Sequence, residues 1–254
     1  MKQNPLIVIL GPTASGKTNL AVQLAQRLNG EIISADSRQI YRGLDIGTGK
    51  DLREYMVNDC IIQHHLIDIL DIGQPYSVAH FKSDAIQAIN AAAQKSKWPI
   101  LCGGTGLYID ALLSNYEFSH TPDFLEENQS LNRPFHVFGL NPSVELRREK
   151  CSIRLMQRIE EGLIKEVEDL LVQGVSAEDL KWLGLEYKWI VNYLEGQYGW
   201  DEFKNGLEIS IHQFAKRQMT FFRKMERSGI DIQWVPYDLS LQDRLDWLIS
   251  KIIF

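Results

Sequence analysis

Leu6-Ile7-Val8-Ile9-Leu10-Gly11-Pro12-Thr13-Ala14-Ser15-Gly16-Lys17-Thr18 decides the fold of this chain. Its first five residues form a continuous apolar, mostly β-branched run, the pattern of a strand buried on both faces. Its last eight match GxxxxGK[ST] without a mismatch. Beyond them Leu20, Ala21, Leu24, Ala25 and Leu28 recur at helical spacing, and Asn29-Gly30 closes that helix. Strand, glycine-rich turn and helix in this order make a phosphate cradle. The glycines let the backbone curl so that several N–H groups converge on one phosphate at a helix N-terminus. Lys17 adds a mobile positive charge, and the Thr18 hydroxyl is placed to ligate Mg²⁺.

Working outward, Glu31–Ala35 reads as a second strand ending at Asp36. Further strands are expected at His65–Leu70, Pro99–Cys102, Phe135–Leu140 and Ile230–Val235, with helices over Val78–Lys95, Leu146–Leu171 and Phe203–Arg227. Strands alternating with helices predict a parallel sheet covered on both faces. One α/β domain over residues 1–254 is expected, with a mainly helical C-terminal part, 143–227, folding back on the core. Residues 114–134 are polar and carry Pro122 and Pro134, so they read as a short excursion, not a second core.

The composition is that of a globular protein. The 254 residues are 44% hydrophobic, 24% charged and 10% aromatic, which excludes disordered, collagen-like and coiled-coil classes. A formal charge of −6 argues against a uniformly basic coat while leaving room for a local basic patch. Cys60, Cys102 and Cys151 form neither a CxxC pattern nor a disulfide framework and point to a reducing compartment. Met1–Pro5 lacks the layout of a signal peptide, and Leu6–Leu10 is too short to span a membrane. A cytoplasmic protein with no membrane partner is the expectation.

A P-loop ATPase usually carries a metal-holding carboxylate at the tip of a neighbouring apolar strand. Here Trp98–Cys102 runs into Gly103-Gly104-Thr105-Gly106 with no acid, and His65-Leu66-Ile67-Asp68 is a weaker candidate. Motor or switch activity becomes less attractive than group transfer to a bound acceptor. Asp36, at the carboxyl end of a strand beside the cradle, can serve an acceptor as base. It serves equally well as a helix N-cap, as do Ser34 and Ser37. Ser37–Arg42 can contact a base or form a solvated face. Two basic groups, Arg147, Arg148, Lys150, Arg154, Arg158 and Lys216, Arg217, Arg223, Lys224, Arg227, read in isolation as solvated helix faces. His64-His65 reads as a strand-entry pair without metal-ligand partners. Trp182, Trp189, Tyr193 and Trp200 read as packing residues.

Taken together, the motifs resemble the tRNA dimethylallyltransferase (isopentenyltransferase) family. The resemblance rests on Gly11–Thr18, on Ser34–Thr48 (SADSRQIYRGLDIGT), and on His65–Asp68 and Tyr76–Phe81. It continues through Gly103–Tyr108 (GGTGLY), Gly184–Tyr187 (GLEY) and Ala215–Arg223 (AKRQMTFFR), in order along nearly the whole chain. It implies a P-loop NTPase-like sheet and transfer of a dimethylallyl group from its diphosphate to the exocyclic amine of an adenosine beside the tRNA anticodon. On that footing Gly11, Pro12, Thr13, Ala14, Ser15, Gly16, Lys17 and Thr18 hold the diphosphate, with Thr13 near the reacting centre and Thr18 on Mg²⁺. Lys17, Arg154 and Arg223 neutralise the diphosphate as its charge grows, and Asp36 is the base towards the amine. Asp36, Ser37, Arg38, Gln39, Thr105, Arg217 and Gln218 meet the target nucleotide. A monomer is expected.

The sequence departs from the family pattern in three places. The helical insertion that follows GGTGLY is reduced to a short polar stretch, Ile211-His212-Gln213 lacks a usual arginine, and Gly49-Lys50-Asp51 replaces Ala-Lys-Pro. The first two bear on how tRNA is gripped more than on the chemistry. A free adenine nucleotide therefore stands as an alternative acceptor, and a small-molecule kinase with ATP in the cradle as an alternative reaction.

Overall fold

The computed structural model describes residues 4–114 and 130–252. Strand β1 (Leu6–Leu10) has all its residues buried and leads through the glycine-rich turn into helix α1 (Lys17–Leu28). Gly16 enters that helix at φ 81° and Asn29 ends it in the left-handed region, where glycine and asparagine are the least strained residues. Strand β2 (Gly30–Ser34) follows. A 3₁₀ turn at Leu52–Tyr55 and a small hairpin, β3 (Met56–Val57) with β4 (Cys60–Ile61), precede strand β5 (His64–His65). Helix α2 (Val78–Gln94) starts in a capping box between Ser77 and His80. Next come β6 (Trp98–Gly103), α3 (Gly106–Leu113) and β7 (Phe135–Leu140). Five helices then run in succession: α4 (Val144–Glu160), α5 (Leu163–Val172), α6 (Ala177–Leu183), α7 (Leu185–Leu194) and α8 (Trp200–Arg227). Strand β8 (Ile232–Val235) and helix α9 (Leu241–Ile252) complete the described chain.

The six-stranded sheet has the order β5-β2-β6-β1-β7-β8, and every pair in it is parallel. The chain leaves β1 towards β2 on one side and later returns to add β7 and β8 on the other. That reversal opens a crevice at the carboxyl ends of the strands around β1. Along β1 the side chains alternate between two cores. Val8 and Leu10 join Leu101, Val137, Phe81, Tyr108 and Phe222, beneath α2, α3 and α8. Ile7 and Ile9 join Ile100, Phe138, Leu24 and Leu248, beneath α1 and α9. Each such buried side chain contributes roughly 1.5–3 kcal/mol relative to exposure. A third core joins Leu155, Val167, Tyr187, Phe203 and Leu207 of the late helices to Ile40, Tyr41 and Leu44. It fixes the segment that follows Asp36 against those helices.

Several expectations are corrected. The strand foreseen at His65–Leu70 is only His64–His65, because Leu66 and Asp68 adopt φ of 62° and 55°, incompatible with a strand. Leu70 makes a single bridge to Tyr41. The run Leu146–Leu171 is two helices, broken at Gly162 with φ 102°. Ile230 and Asp231 precede β8 rather than belonging to it. Trp182 is 75% exposed and does not pack, whereas Trp189 meets Tyr198 and Tyr193 stacks on Phe203. Of the excursion at 114–134, residues 115–129 lie outside the described residues. No helix among the described residues is long and apolar enough to cross a membrane.

Candidate active site

The ends of β2 and β6 are held together past the last sheet residues. Ala35 N–H donates to the Cys102 carbonyl at 2.8 Å, and Thr105 N–H donates to the Ala35 carbonyl at 3.1 Å. A Cβ on Gly103 would stand 2.2 Å from the Ala35 oxygen, so only glycine permits this approach. The pairing delivers Asp36 and Thr105 side by side. Thr105 Oγ1 accepts from Ser37 N–H at 3.0 Å, and Asp36 Oδ1 accepts from Arg38 N–H at 3.0 Å. Asp36 thus caps its own turn with one carboxylate oxygen. Oδ2 has no hydrogen-bond partner among the described residues, so the cap and an uncommitted oxygen coexist in one side chain.

The cradle is tied from behind. Gln218 on α8 accepts from Thr13 N–H at 2.9 Å and donates to the Gly104 carbonyl at 2.9 Å, joining the β1 and β6 turns. Both ends of its amide are therefore committed within the protein. Tyr237 donates to the Ser15 carbonyl at 3.0 Å and accepts from Lys150 Nζ at 2.9 Å. Lys17 Nζ rests 3.4 Å from the Pro12 carbonyl. Burial pushes its ammonium below the ordinary lysine value, with Asp36 attracting it and Arg154 and Arg158 repelling it.

A cavity of about 290 Å³ gathers Thr13, Lys17, Thr18, Asp36, Ser37, Arg38, Gln39, Thr105, Arg154, Arg217 and Gln218. Most of the residues singled out by sequence meet there. Tyr55, Cys102, Leu107, Phe214 and Phe221 add apolar lining. Burial raises the Cys102 thiol to about 12, so it is an inert wall and not a nucleophile. Ala14, Ser15 and Gly16 line an adjoining cleft of about 990 Å³, and Lys17, Thr18, Arg154 and Arg158 border both spaces. Gly11 and Pro12 lie behind the turn. A Cβ on Gly11 would come within 2.7 Å of Ser15 Oγ.

Arg223 is not in this set. It lines a separate cleft with Asn141, Arg147 and Lys216, apart from the other residues expected on the diphosphate. Arg158, which the sequence had offered only as part of a charged face, lines the Asp36 cavity. Arg158 is 9% exposed, and its one hydrogen bond among the described residues is a long donation to the Gly47 carbonyl at 3.4 Å. Burial, then repulsion by Arg154, lowers it to about 10. Arg154 pairs with Asp51 at 2.8 Å, both partly exposed. Arg154 and Arg158 crowd the backbone of Gly49, where a Cβ would stand 1.7 Å from the nearer guanidinium. A concentration of cation with so little internal neutralisation is a preformed anion site.

Glu166, also unforeseen, sets the wall opposite. Its carboxylate accepts from the N–H groups of Asp45, Ile46 and Gly47 at 3.0, 2.6 and 3.1 Å, and from the Tyr187 hydroxyl at 2.8 Å. The buried Lys50 ammonium donates to the Tyr41 carbonyl at 2.7 Å, to Asp45 at 2.8 Å and to Asp68. The GLEY segment closes the cavity, with the Arg38 guanidinium packed on the backbone of Gly184. His65 pairs with Glu31 at 2.8 Å. Among the described residues no cluster of three or more His, Cys, Asp or Glu side chains forms a metal site. The Thr18 hydroxyl, on the border of both spaces and without a hydrogen bond among the described residues, is the donor left for a Mg²⁺. That ion commonly takes few protein ligands and keeps waters and substrate phosphate oxygens.

This geometry coincides with what the chain is similar to. A family model described as IPP transferase matches residues 39–133 and 119–225, and one described as isopentenyl transferase matches residues 4–59. A protein named tRNA dimethylallyltransferase 2 from Phocaeicola vulgatus is 41% identical over 303 aligned residues, covering 99% of each chain. The alignment is longer than this chain, so the relative carries a segment with no counterpart here. The family-model match breaks and overlaps at 119–133, where the sequence runs short. The structure of a tRNA delta(2)-isopentenylpyrophosphate transferase from Staphylococcus epidermidis superposes with a TM-score of 0.85 at 30% identity, covering 99% of both chains. That of a tRNA isopentenylpyrophosphate transferase from Bacillus halodurans gives 0.83 at 28% identity, covering 99% of this chain and 97% of the other. Sequence kinship from end to end and a shared P-loop NTPase-like fold place the chain in the IPP transferase family.

Proposed function

We propose that the protein transfers a dimethylallyl group from dimethylallyl diphosphate to the exocyclic amine of an adenosine in tRNA next to the anticodon, releasing pyrophosphate. One observation carries the residue-level reading: a carboxylate with a free oxygen, Asp36, shares an apolar-lined cavity with Lys17, Arg154 and Arg158. The identity to proteins named tRNA dimethylallyltransferase supports the choice of reaction and acceptor.

In this reading the amine nitrogen attacks the allylic carbon and a C–N bond forms as the C–O bond to the diphosphate breaks. The electron pair leaves on the diphosphate oxygen, where Lys17, Arg154, Arg158 and the backbone N–H groups of Gly16, Lys17 and Thr18 at the start of α1 receive the charge. Asp36 Oδ2 takes the proton that the nitrogen gives up. Thr18 would hold Mg²⁺, which supplies further neutralisation of the diphosphate when bound. Thr105, Ser37 and Arg38 orient the adenosine. An exocyclic amine is a weak nucleophile, so positioning and leaving-group stabilisation supply most of the rate. With no acidic residue at the β6 tip, a role as ATPase has no support.

The test is transfer of labelled dimethylallyl diphosphate, with Mg²⁺, to unmodified tRNA and to AMP, ADP and ATP in parallel, beside Asp36→Ala. Label in tRNA, lost in the variant, is expected. Label in free nucleotide alone would replace the acceptor, and ATP consumption without label transfer would overturn the reaction.

A further inference from the structure

The cleft that receives Arg223 lies between α4 and α8, outside the cavity of Asp36, and has a volume of about 880 Å³. Arg147, Arg148, Lys216 and Arg223 line it, and the N-terminal turn of α4, from Ser143, opens into it. None of these four cations forms an ion pair among the described residues. Arg147 is the informative one: it is 8% exposed, has no side-chain hydrogen bond among the described residues, and faces this cleft. Burial, and then the repulsion of Arg223 and Arg148, lowers its guanidinium. Glu145 feels Arg148 and Arg147 but is exposed and pairs with neither. No acidic residue lines the cleft among the described residues, and Glu208 on α8 accepts from the Ser152 hydroxyl. Leaving a guanidinium buried without an acceptor is costly, and a ligand oxyanion would relieve it.

A groove on α8 lies between this cleft and the Asp36 cavity and shares lining residues with each. Lys216 and Thr220 border both this cleft and a groove lined by Arg217, Phe221 and Lys224, and Arg217 and Phe221 in turn border the Asp36 cavity. Lys224 lies over the Phe221 ring at 5.5 Å, and Arg217 over Phe214 at 6.0 Å. Cations interleaved with aromatic rings along one helix suit a chain of phosphates and bases. On a molecule of net charge −6 this concentration is local, not a general coat.

Resting on the reading that the acceptor is RNA, we propose that the α4–α8 cleft binds backbone phosphates of the acceptor, holding the polyanion while one nucleoside enters the Asp36 cavity. The ligand chemistry is a phosphodiester. The cleft thereby provides grip in a chain whose family insertion is reduced to a short stretch.

The experiment measures binding of an unmodified tRNA transcript over a salt series, for wild type, Arg148→Gln/Lys216→Gln and Arg223→Gln. Arg147→Gln is added with its melting temperature as a check on folding. Each phosphate contact removed lowers the slope of log K against log salt by about 0.7–0.9. The double variant should therefore lose about 1.5 from the slope and bind roughly 10- to 30-fold more weakly at moderate salt. Its KM for dimethylallyl diphosphate should stay at the wild-type value. An unchanged slope overturns the proposal. An Arg223→Gln variant with raised KM for the diphosphate and unaltered tRNA binding also overturns it, by returning Arg223 to the leaving group. Equal losses with AMP as acceptor would assign the cleft to a free nucleotide's phosphate instead. Wild type that transfers label only to free nucleotide and binds no tRNA would show that the acceptor reading failed first.

Discussion

Arg158→Met should stabilise the ligand-free protein while weakening its hold on diphosphate, two effects of opposite sign from one substitution. The guanidinium is buried beside Arg154, has no ion-pair partner among the described residues, and is lowered to about 10. That descent corresponds to roughly 3 kcal/mol of penalty on the charged form in the folded state. Because the folded value lies below the unfolded one, the penalty is present in full at every pH below about 10 and fades only as pH rises through it. Methionine fills similar space without charge. The loss of the long bond to Gly47 offsets part of the gain, about 0.5–1 kcal/mol. A net stabilisation of about 2–2.5 kcal/mol should raise the melting temperature by roughly 4–10 °C for a chain of this size. A charge-assisted hydrogen bond to the leaving group is worth about 1.5–3 kcal/mol, so kcat/KM should fall about 10- to 150-fold. Thermal melts with and without pyrophosphate and Mg²⁺, beside steady-state transfer, read both signs. A variant that melts lower than wild type yet keeps its full pyrophosphate-induced shift would refute the reasoning.

Other substitutions separate chemistry from support. Asp36→Asn keeps an oxygen for the Arg38 N–H and removes the base, so kcat should fall about 10²- to 10⁴-fold with little change in diphosphate affinity by calorimetry. Glu166→Ala strands the N–H groups of Asp45, Ile46 and Gly47 and should cost about 2–3 kcal/mol, seen in urea unfolding, together with a raised KM. Gly49→Ala places a Cβ against Arg154 and Arg158 at a φ of 64°. It should lose about 1–2 kcal/mol and weaken pyrophosphate protection in the same melts. Gln218→Ala frees both the Thr13 N–H and the Gly104 carbonyl and should lower the melting temperature by several degrees, with faster amide exchange at Thr13.

What the sequence revealed was local. A buried strand, a glycine turn and a helix stand next to one another in the chain, so Gly11–Thr18 and the α/β architecture could be read directly. Asp36 was legible because it ends a strand, and Thr105 through the family resemblance. Arg158 was hidden in a charged run, although α4 carried a signal: Arg147, Cys151, Leu155 and Arg158 are its buried face. An amphipathic helix whose inward stripe contains arginines is preparing an anion site, not a solvated surface. Glu166 gave no local signal, since the backbone N–H groups it holds lie more than a hundred residues earlier. Arg223 was set with the cavity residues because a motif was read as a block. At 3.6 residues per turn Arg217 and Arg223 point about 120° apart around α8, so the same cavity does not receive both. Residues 66–70 have a largely apolar, strand-like composition, yet tertiary contacts impose a left-handed backbone at Leu66 and Asp68.

The cavity's lining favours the proposed role of this cradle in holding a leaving group over one in phosphoryl transfer. A phosphoryl-transfer site must bring a nucleophile to phosphorus and hold metal with an acid near the P-loop. Here the neighbouring strand β6 ends in Gly103-Gly104-Thr105, and Gln218, a neutral amide, occupies the gap between the two turns. The space between Asp36 and the cations is instead walled by Tyr55, Cys102, Leu107, Phe214 and Phe221. Such a wall suits a short hydrocarbon and keeps water from an allylic carbon while its bond to diphosphate weakens. It also strengthens the interaction of Lys17, Arg154 and Arg158 with the developing charge, because a low-dielectric surround screens less. Those cations repel one another until an anion arrives, so the free energy stored in their crowding is released as charge builds on the diphosphate. The cradle can therefore bind the product side of C–O cleavage more tightly than the substrate side, which is the condition for accelerating it.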